Sequence, residues 1–460
     1  MRVAHRESAI YWASLAGMGL SCIGPIALFG LHSMNPYGAL IAACATGLSL
    51  PVLAFSRRYL HGEFMFGRFA SLCVGLLLGF NIVATAPTLT VAIGGWGLFG
   101  FASTFLIGAY NDRPTVRNNA IFAFGAYRIS DMAMLTAAAL TEHNPAALAA
   151  ADAILISGTP TSPVVAAALL LAALFKSSQF PLTSLFVRSM EGPTPASALG
   201  YAGLSAHVGV VLLTSTLPLW YEYDMARLAL ASIGSFTALY GTLAAKIRAD
   251  RKGSIANATS ATLGLIFTTI ALGHPDLALL MSLGHAAFRM TQVLRSPNMI
   301  ADSQKIRSAL GYMPWPTIVP DWLYRLSWTL RRLDMDMNFL HAVQWLSSRI
   351  HRPKVWNLTK TQQWLITAGA ITVAGAPYTP VSHYLEEWLL DELVDNPILA
   401  GTVMCAHFGI SVLLVRFLFL KVLSTRRFHA ERHVGHPIHN PHPTPSPSPS
   451  PSTPTPTPQP

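Results

Sequence analysis

Charged residues are scarce in this chain. Only 11% of its 460 residues are Asp, Glu, Lys or Arg, whereas an ordinary soluble protein has about 25%. This scarcity excludes a disordered chain, a nucleic-acid scaffold and most soluble enzymes. With 52% apolar side chains, the composition predicts a polytopic membrane protein, because lipid tolerates so few charges. The net charge of +10 is then explained by basic cytoplasmic loops, without a nucleic-acid partner.

Several enzyme motifs are also missing from the sequence. There is no Walker A loop and no GxGxxG motif in a strand–helix setting. The four cysteines lie in apolar runs without a CxxC pair, which is typical of small buried hydrophobic residues. No Ser-His-Asp arrangement can be argued. We therefore expect no catalytic residue, cofactor or metal ion in this chain and favour proton or ion transport, while enzymatic activity of the chain itself stays open.

Long apolar runs predict the number of membrane spans. Twelve runs of about 19–26 residues, each long enough to cross a bilayer, lie near 8–33, 38–56, 69–86, 89–110, 119–141, 164–187, 196–219, 227–245, 254–273, 277–295, 362–382 and 397–420. Basic residues mark every second connection, and the eleventh connection is acidic. This alternation predicts an all-α fold of about twelve transmembrane helices, some of them broken, with both termini cytoplasmic, in the cell inner membrane.

The chain divides into four predicted regions. Residues 1–295 form a transmembrane core, and residues 296–361 form a cytoplasmic loop. Apolar side chains at three- and four-residue spacing over 321–350 predict an amphipathic helix in that loop, lying on lipid or contacting a partner. Two transmembrane helices follow in 362–420. Residues 421–460 form a tail rich in His, Pro, Ser and Thr, which we expect to be disordered.

Ionisable residues within a bilayer are costly, so each one is a candidate functional residue. Lys176 is the clearest, because it lies in the middle of an apolar run. Pro181 follows five residues later and predicts a kink beside the lysine, since proline removes a backbone hydrogen bond. A desolvated amine at a helix break is how transporters form ion sites. The alternative is a lysine paired with a neighbour for packing alone.

The next helix supplies two weaker candidates. Glu191 precedes a proline-rich helix start, where it can belong to the ion path or simply interact with the helix N-terminus. His207 lies one or two turns into that helix. It can relay protons near neutral pH or be a hydrogen-bonded core histidine, and the sequence favours neither.

Three further groups complete the set of candidates. His285 and Arg289 lie at i and i+4 on one helix face, so we expect both to face the protein interior or water. Arg128 and Asp131 lie at i and i+3 and can form a structural pair. Lys252 begins a helix at the cytoplasmic surface and, considered alone, is an ordinary basic residue of an inner loop.

Several stretches between about residues 40 and 295 resemble one family. The segment FKSSQFPLTSLFVRSMEGPTPASAL is similar to the central signature of the antiporter-like subunits of complex I (NuoL type) and of Mrp antiporters. Weaker similarities in the same order are SRRYLHGEFMFGRF, GGWGLFGFASTFLIGAY, AYRISDM, RADRKGSIANATSATLG and LGHAAFRM. The resemblance implies an antiporter-like helical fold that conducts protons or Na⁺.

The resemblance also implies positions in the proton path. Lys176 matches the lysine of the family's broken helix, His285 matches the histidine of the second half of the path, and Arg289 replaces the family's lysine there. The family motifs also contain the positions of Lys252, Arg128 and Asp131.

Two positions depart from the family pattern. Gly97 stands where the family has the glutamate that pairs with the lysine, and Tyr201 stands where it has a histidine, with His207 six residues further on.

A shortened chain without this glutamate resembles the DabB branch, the membrane half of the DabA–DabB inorganic carbon transporters. This resemblance implies a soluble DabA-like partner on the cytoplasmic side, with a carbonic-anhydrase-like zinc site in the partner. The membrane subunit would conduct protons or other cations to drive CO2 hydration there. The alternative is a proton-translocating subunit of an NADH-quinone oxidoreductase or Mrp-type complex.

Overall fold

We analysed a computed structural model of the chain, which describes residues 2–30, 35–63, 65–142, 162–248, 250–296, 320–331, 359–375 and 379–422, together with residues 308, 341, 342 and 345. The described residues form helices joined by turns and short connections, without strands. The prediction of an all-α fold is therefore confirmed. The first two residues of the predicted tail belong to a short helical segment, Leu418–Val422, and the rest of the tail lies outside the described residues.

Sixteen helices are used below. In the first half of the chain they are α1 (Arg2–Phe29), α2 (Gly38–Tyr59), α3 (Phe66–Thr85), α4 (Leu89–Ile107), α5 (Pro114–Glu142), α6 (Pro163–Lys176), α7 (Ser184–Ser189) and α8 (Thr194–Ser215). In the second half they are α9 (Leu217–Trp220), α10 (Asp224–Ile247), α11 (Arg251–Ala271), α12 (Pro275–Leu294), α13 (Asp321–Arg331), α14 (Lys360–Val373), α15 (Pro380–Asp395) and α16 (Pro397–Phe417).

Nine helices in the described part of the chain are long and apolar enough to cross a membrane. They are α1 to α4, α8, α10 to α12 and α16. The other three predicted spans correspond to α5, which carries Arg117, Arg128 and Asp131, and to α6 and α14, each only 14 residues long. The chain is thus a multi-pass membrane protein, and its spans include broken helices, as the sequence predicts.

Helices α3 and α4 approach closely because two glycines face each other. A Cβ atom on Gly79 would lie 2.7 Å from the Gly95 carbonyl oxygen, and one on Gly95 would lie 2.8 Å from the Gly79 carbonyl oxygen. Side chains at these positions would push the helices apart, since real Cβ contacts are longer. The contact holds the Trp96 backbone, next along α4, in the centre of the bundle, where Trp96 is fully buried.

The acidic eleventh connection differs from the sequence prediction. Instead of a loop it forms α15, which packs against α5 and α16. Leu389 of α15 is 3% exposed, whereas Glu387, Asp391 and Asp395 are exposed. The apolar side of α15 therefore covers the bundle, which the count of acidic residues alone did not indicate.

The predicted amphipathic helix is described only in part. Helix α13 spans Asp321–Arg331, contacts α10, and exposes Trp322 (66%) and Tyr324 (47%). Most of the remaining predicted range, up to residue 350, lies outside the described residues.

Candidate functional site

The first buried cation stands at the end of a broken helix. Helix α6 stops at Lys176, and Ser178 follows in the left-handed backbone conformation (φ 53°). The Gln179 amide donates to the Leu174 carbonyl at 3.0 Å, and the Ser178 amide donates to the Phe175 carbonyl at 3.4 Å. These two bonds form a Schellman motif, which terminates a helix without leaving its last carbonyls unpaired.

The predicted break at Pro181 therefore begins five residues earlier. Pro181 lies in the segment between α6 and α7, after a cis peptide bond with Phe180. This segment is held to the bundle by the Phe180 amide, which donates to Thr237 Oγ1 of α10 at 3.1 Å. The sequence located the break correctly but attributed it to proline, whereas the local hydrogen bonds end the helix at Lys176.

Lys176 is fully buried and has three kinds of partner. Its Nζ donates to the Trp96 carbonyl oxygen at 2.6 Å and to Asp131 Oδ1 at 3.0 Å. The ammonium also lies 4.3 Å from the centre of the Trp96 indole, within the range of a cation–π interaction. Burying an ammonium is costly unless it is paired and hydrogen-bonded. This pocket meets both conditions with residues of α4 and α5.

Asp131 is shared between two cations. Its second carboxylate oxygen contacts Arg128 Nη2, one turn earlier on α5. The Arg128 guanidinium also lies 4.6 Å from the centre of the Phe101 ring. Arg128 and Asp131 form the pair expected from their spacing, but Asp131 has a second partner in Lys176. We refer to Lys176, Asp131 and Arg128 as the lysine centre.

The position of the family glutamate, Gly97, lies next to the lysine centre. Gly97 lines a cavity of about 70 Å³ together with Arg128 and Asp131. The carboxylate that contacts Lys176 is that of Asp131 on α5.

The second group of predicted residues forms a continuous chain of hydrogen bonds. His207 Nε2 of α8 lies 3.0 Å from His285 Nδ1 of α12, and Arg289 Nε donates to His285 Nε2 at 3.3 Å. His207 Nδ1 lies 2.5 Å from the Gly203 carbonyl oxygen. His207 is 4% exposed and His285 is 8% exposed. We refer to His207, His285 and Arg289 as the histidine centre.

Only one arrangement of protons satisfies all three contacts with neutral histidines. The Gly203 carbonyl can only accept, so His207 Nδ1 carries a proton and His207 Nε2 accepts from His285 Nδ1. Arg289 can only donate, so His285 Nε2 is the acceptor. The hydrogen bonds therefore run in one direction, from Arg289 to Gly203. A proton added at one end would change the tautomer of both rings, which is the basis of a relay.

The remaining two predicted residues, Lys252 and Glu191, lie within electrostatic range of each other. The Lys252 side chain at the start of α11 interacts favourably with the Glu191 carboxylate, which precedes α8. Glu191 thus has an electrostatic interaction with another helix, in addition to its place near the start of α8.

Sequence reasoning missed a cluster of hydroxyl groups between helices α4, α5 and α8. Ser103 Oγ and Ser205 Oγ lie 3.2 Å apart, and the Tyr127 hydroxyl lies near them and near the Tyr201 hydroxyl. Neither tyrosine hydroxyl has a hydrogen bond of normal geometry among the described residues. Tyr127 also faces Lys176, whose Nζ lies 5.7 Å from its ring centre. These hydroxyls extend the polar interior from the lysine centre toward the helix that carries His207.

We expect His207→Gln to reduce proton conduction by about tenfold or more, because a side chain positioned to transfer a proton typically contributes about 10²–10⁴-fold to a reaction rate. Glutamine can still hydrogen-bond to His285, but it cannot exchange its protons at neutral pH. Proton flux into vesicles, followed with a trapped pH dye, would measure the effect. His274→Gln is the matched control, because His274 is exposed at the start of the same α12. Equal fluxes in both variants would contradict a relay role for His207.

The fold and the buried cations define an antiporter-like membrane subunit. The sequence profile of the family "NADH:quinone oxidoreductase/Mrp antiporter, TM" matches residues 86–320, about half of the chain. The chain belongs to this family. The matched range includes all eight candidate residues and Pro181.

Relatives in two branches of the family are similar to the chain. The probable inorganic carbon transporter subunit DabB1 of Halothiobacillus neapolitanus is 28% identical over 287 residues, covering 60% of this chain and 51% of the relative. NADH-ubiquinone oxidoreductase chain 5 of Halichoerus grypus is 32% identical over 377 residues, covering 80% of this chain and 59% of the relative. The chain spans about half the length of the curated relatives it matches.

Two solved structures share the fold. The Mrp complex from Dietzia sp. DQ12-45-1b matches with a TM-score of 0.53 at 19% identity, over 92% of this chain and 48% of that chain. A chain of the membrane-bound sulfane sulfur reductase, an archaeal respiratory membrane complex, matches with a TM-score of 0.54 at 14% identity. That match covers 90% of this chain and 82% of the other. The prediction of an antiporter-like fold is confirmed.

Proposed function

We propose that the chain is the membrane subunit of an inorganic carbon transporter and conducts protons that drive CO2 hydration to bicarbonate in a DabA-like zinc-containing partner. The similarity to a DabB1 subunit supports this substrate class. The observation that carries proton conduction is the fully buried Lys176, held by Asp131 at 3.0 Å and by a backbone carbonyl. A scaffold that does not conduct would gain stability by losing a lysine buried at membrane depth.

The lysine centre can hold or release a proton without leaving an unpaired charge. When Lys176 loses its proton, Asp131 still has Arg128 as its counter-ion. When Lys176 is protonated, the same carboxylate and the Trp96 carbonyl stabilise the ammonium. Both states are therefore compatible with the same packing, which is a requirement for repeated loading.

Protons would pass from the lysine centre to the histidine centre. The hydroxyls of Tyr127, Tyr201 and Ser205 lie between these two groups along α5 and α8. Hydroxyl groups both donate and accept, so they can carry a proton when water joins them. The predicted topology puts Lys252 and Glu191, two opposite charges that interact electrostatically, at the cytoplasmic end of the path.

The partner would dock at the cytoplasmic side of an inner-membrane protein with both termini cytoplasmic. Helix α13 supports this proposal, because it exposes Trp322 and Tyr324 beside α10. Exposed aromatic residues of this kind are enriched at protein interfaces and at membrane surfaces.

A second candidate function is a proton-translocating subunit of a respiratory or Mrp-type complex. The 32% identity to NADH-ubiquinone oxidoreductase chain 5 over 80% of this chain favours it. Gly97 argues against this second function, because the family pattern has a glutamate at that position.

Purification of the tagged full chain in mild detergent, followed by mass spectrometry, separates these two functions. We expect a single large soluble partner that contains zinc, and energy-dependent uptake of 13C-bicarbonate in cells that express both chains. Recovery of several membrane subunits with quinone- or NADH-linked proteins would contradict the carbon transport function.

A further inference from the structure

The cavity beside Gly97 reaches beyond the lysine centre. It lies between α4, α5, α15 and α16, and the polar side chains in its wall are Arg128, Asp131 and His407. Its volume of about 70 Å³ has room for about two water molecules. The cavity thus touches the carboxylate that holds Lys176, and it touches a histidine in a segment where the sequence showed no similarity to the family.

His407 presents a half-buried imidazole to this cavity. Its Nε2 atom is buried and has no hydrogen-bond partner among the described residues. The Arg128 guanidinium and the Val373 carbonyl are its other polar neighbours. Buried imidazole nitrogens are normally paired, so an unpaired nitrogen beside a cavity that Arg128 and Asp131 also line indicates a site that exchanges protons with water or with a nearby acid.

The turn after α14 holds His407 and Arg128 in place. Gly375 has φ +77°, and a Cβ atom there would lie 2.6 Å from His407 Cε1. The Gly375 carbonyl accepts from Arg128 Nη1 at 3.5 Å. Ser411 Oγ, one turn after His407 on α16, donates to the Ala374 carbonyl at 3.1 Å. The backbone of this turn therefore fits between the two side chains only because residue 375 is glycine.

Helix α15 covers the cavity from the other side. Leu385 and Leu389 contribute its apolar wall, while Glu387, Asp391 and Asp395 are exposed on the same helix. A group of acidic side chains raises the local concentration of protons and cations. By the predicted topology this helix lies on the side opposite the cytoplasm.

We propose that this cavity is the outer access chamber of the proton path and that His407 passes protons from its water to Asp131 of the lysine centre. The ligand is a proton carried by water, and no other group has to be bound. The role of His407 rests on the proposed function, whereas the access of water to the cavity can be tested independently of it.

Thiol labelling tests the access of water. The test protein is the full chain with its native cysteines replaced by alanine and with the substitution Gly97→Cys. Membrane vesicles that contain this variant are treated with Ag⁺ from the outer side. Labelling with a fluorescent maleimide after unfolding in detergent then counts the remaining thiols. We expect Ag⁺ to block Gly97→Cys and to leave Ala102→Cys unreacted, because Ala102 is buried on α4 and does not line the cavity. An unreacted thiol in Gly97→Cys would overturn the access chamber.

Proton flux tests the role of His407. We expect the proton flux of His407→Gln to be roughly tenfold or more below that of the wild type. When His407→Gln is combined with Gly97→Cys, Ag⁺ should still block the thiol. The control His341→Gln, at an exposed position, should keep the wild-type flux. Unchanged flux in His407→Gln, together with lost flux in Lys176→Ala, would overturn the role of His407 and leave the proposed function standing. Absence of proton flux in the wild type would overturn both the proposed function and the role of His407. In that case the thiol labelling would still decide whether water reaches the cavity.

Discussion

Lys176→Ala should abolish proton conduction and 13C-bicarbonate uptake while the protein still inserts and folds. Alanine has no proton to exchange, and we expect a loss of about 10²-fold or more, as for other residues that transfer protons directly. Folding should survive because Asp131 keeps its contact with Arg128, so no buried carboxylate is left unpaired. The substitution also removes the cost of holding an ammonium at membrane depth.

Lys246→Ala is the matched control for this experiment. Lys246 lies in the last turn of α10 and is exposed, so its removal should change neither flux nor the amount of protein in the membrane. Uptake and vesicle flux would be measured for both variants at equal protein levels. A Lys176→Ala variant with wild-type flux would show that the lysine only contributes to packing.

Asp131→Asn should have the second large effect, and it should affect stability as well as conduction. The substitution leaves Lys176 and Arg128 as two buried cations without a carboxylate between them. Removing one partner of a buried ion pair typically costs about 3–5 kcal/mol. We expect a lower Tm in detergent and a loss of flux, because Lys176 would be driven to its neutral form. Asp224→Asn is the control, since its ion pair with Arg227 is exposed and contributes little.

Gly97→Glu should rescue Asp131→Asn. Position 97 lines the cavity together with Arg128 and Asp131, and a glutamate there would return a carboxylate to the lysine centre from α4 instead of α5. Recovery of both Tm and flux in the double variant would show that the two positions supply the same charge. If the double variant is no better than Asp131→Asn, the carboxylate of Asp131 has a role that depends on its place on α5.

The sequence predicted the helical fold because apolar runs in a membrane protein are long and their spacing is regular. It failed at the eleventh connection, where a high proportion of acidic residues suggested a loop. Helix α15 has its leucines at helical spacing, and Leu389 is buried against the bundle, so a periodicity test of this short segment would have indicated the helix.

For the candidate site, the sequence indicated which ionisable residues lie inside the helix bundle better than it indicated their contacts. Lys176 was found because a lysine in an apolar run is costly, and the same rule would have found His407 in the run of α16. The contact between Lys176 and Asp131 could not be predicted, because it depends on how α4, α5 and α6 pack. A hydrogen bond from the Trp96 indole to Ser130, and one from Ser130 to the Ala172 carbonyl at 2.7 Å, fix that packing.

With a single carboxylate between two cations, the proposed proton loading of the lysine centre would also depend on voltage. With Lys176 protonated, the three side chains carry one net positive charge, and without that proton they carry none. Moving one elementary charge across a membrane potential of 100 mV changes its energy by about 2.3 kcal/mol, and a charge part of the way across feels a fraction of this. The fraction of protonated Lys176 would therefore be set by the electrical gradient together with the proton gradient, so that each gradient alone could load the site.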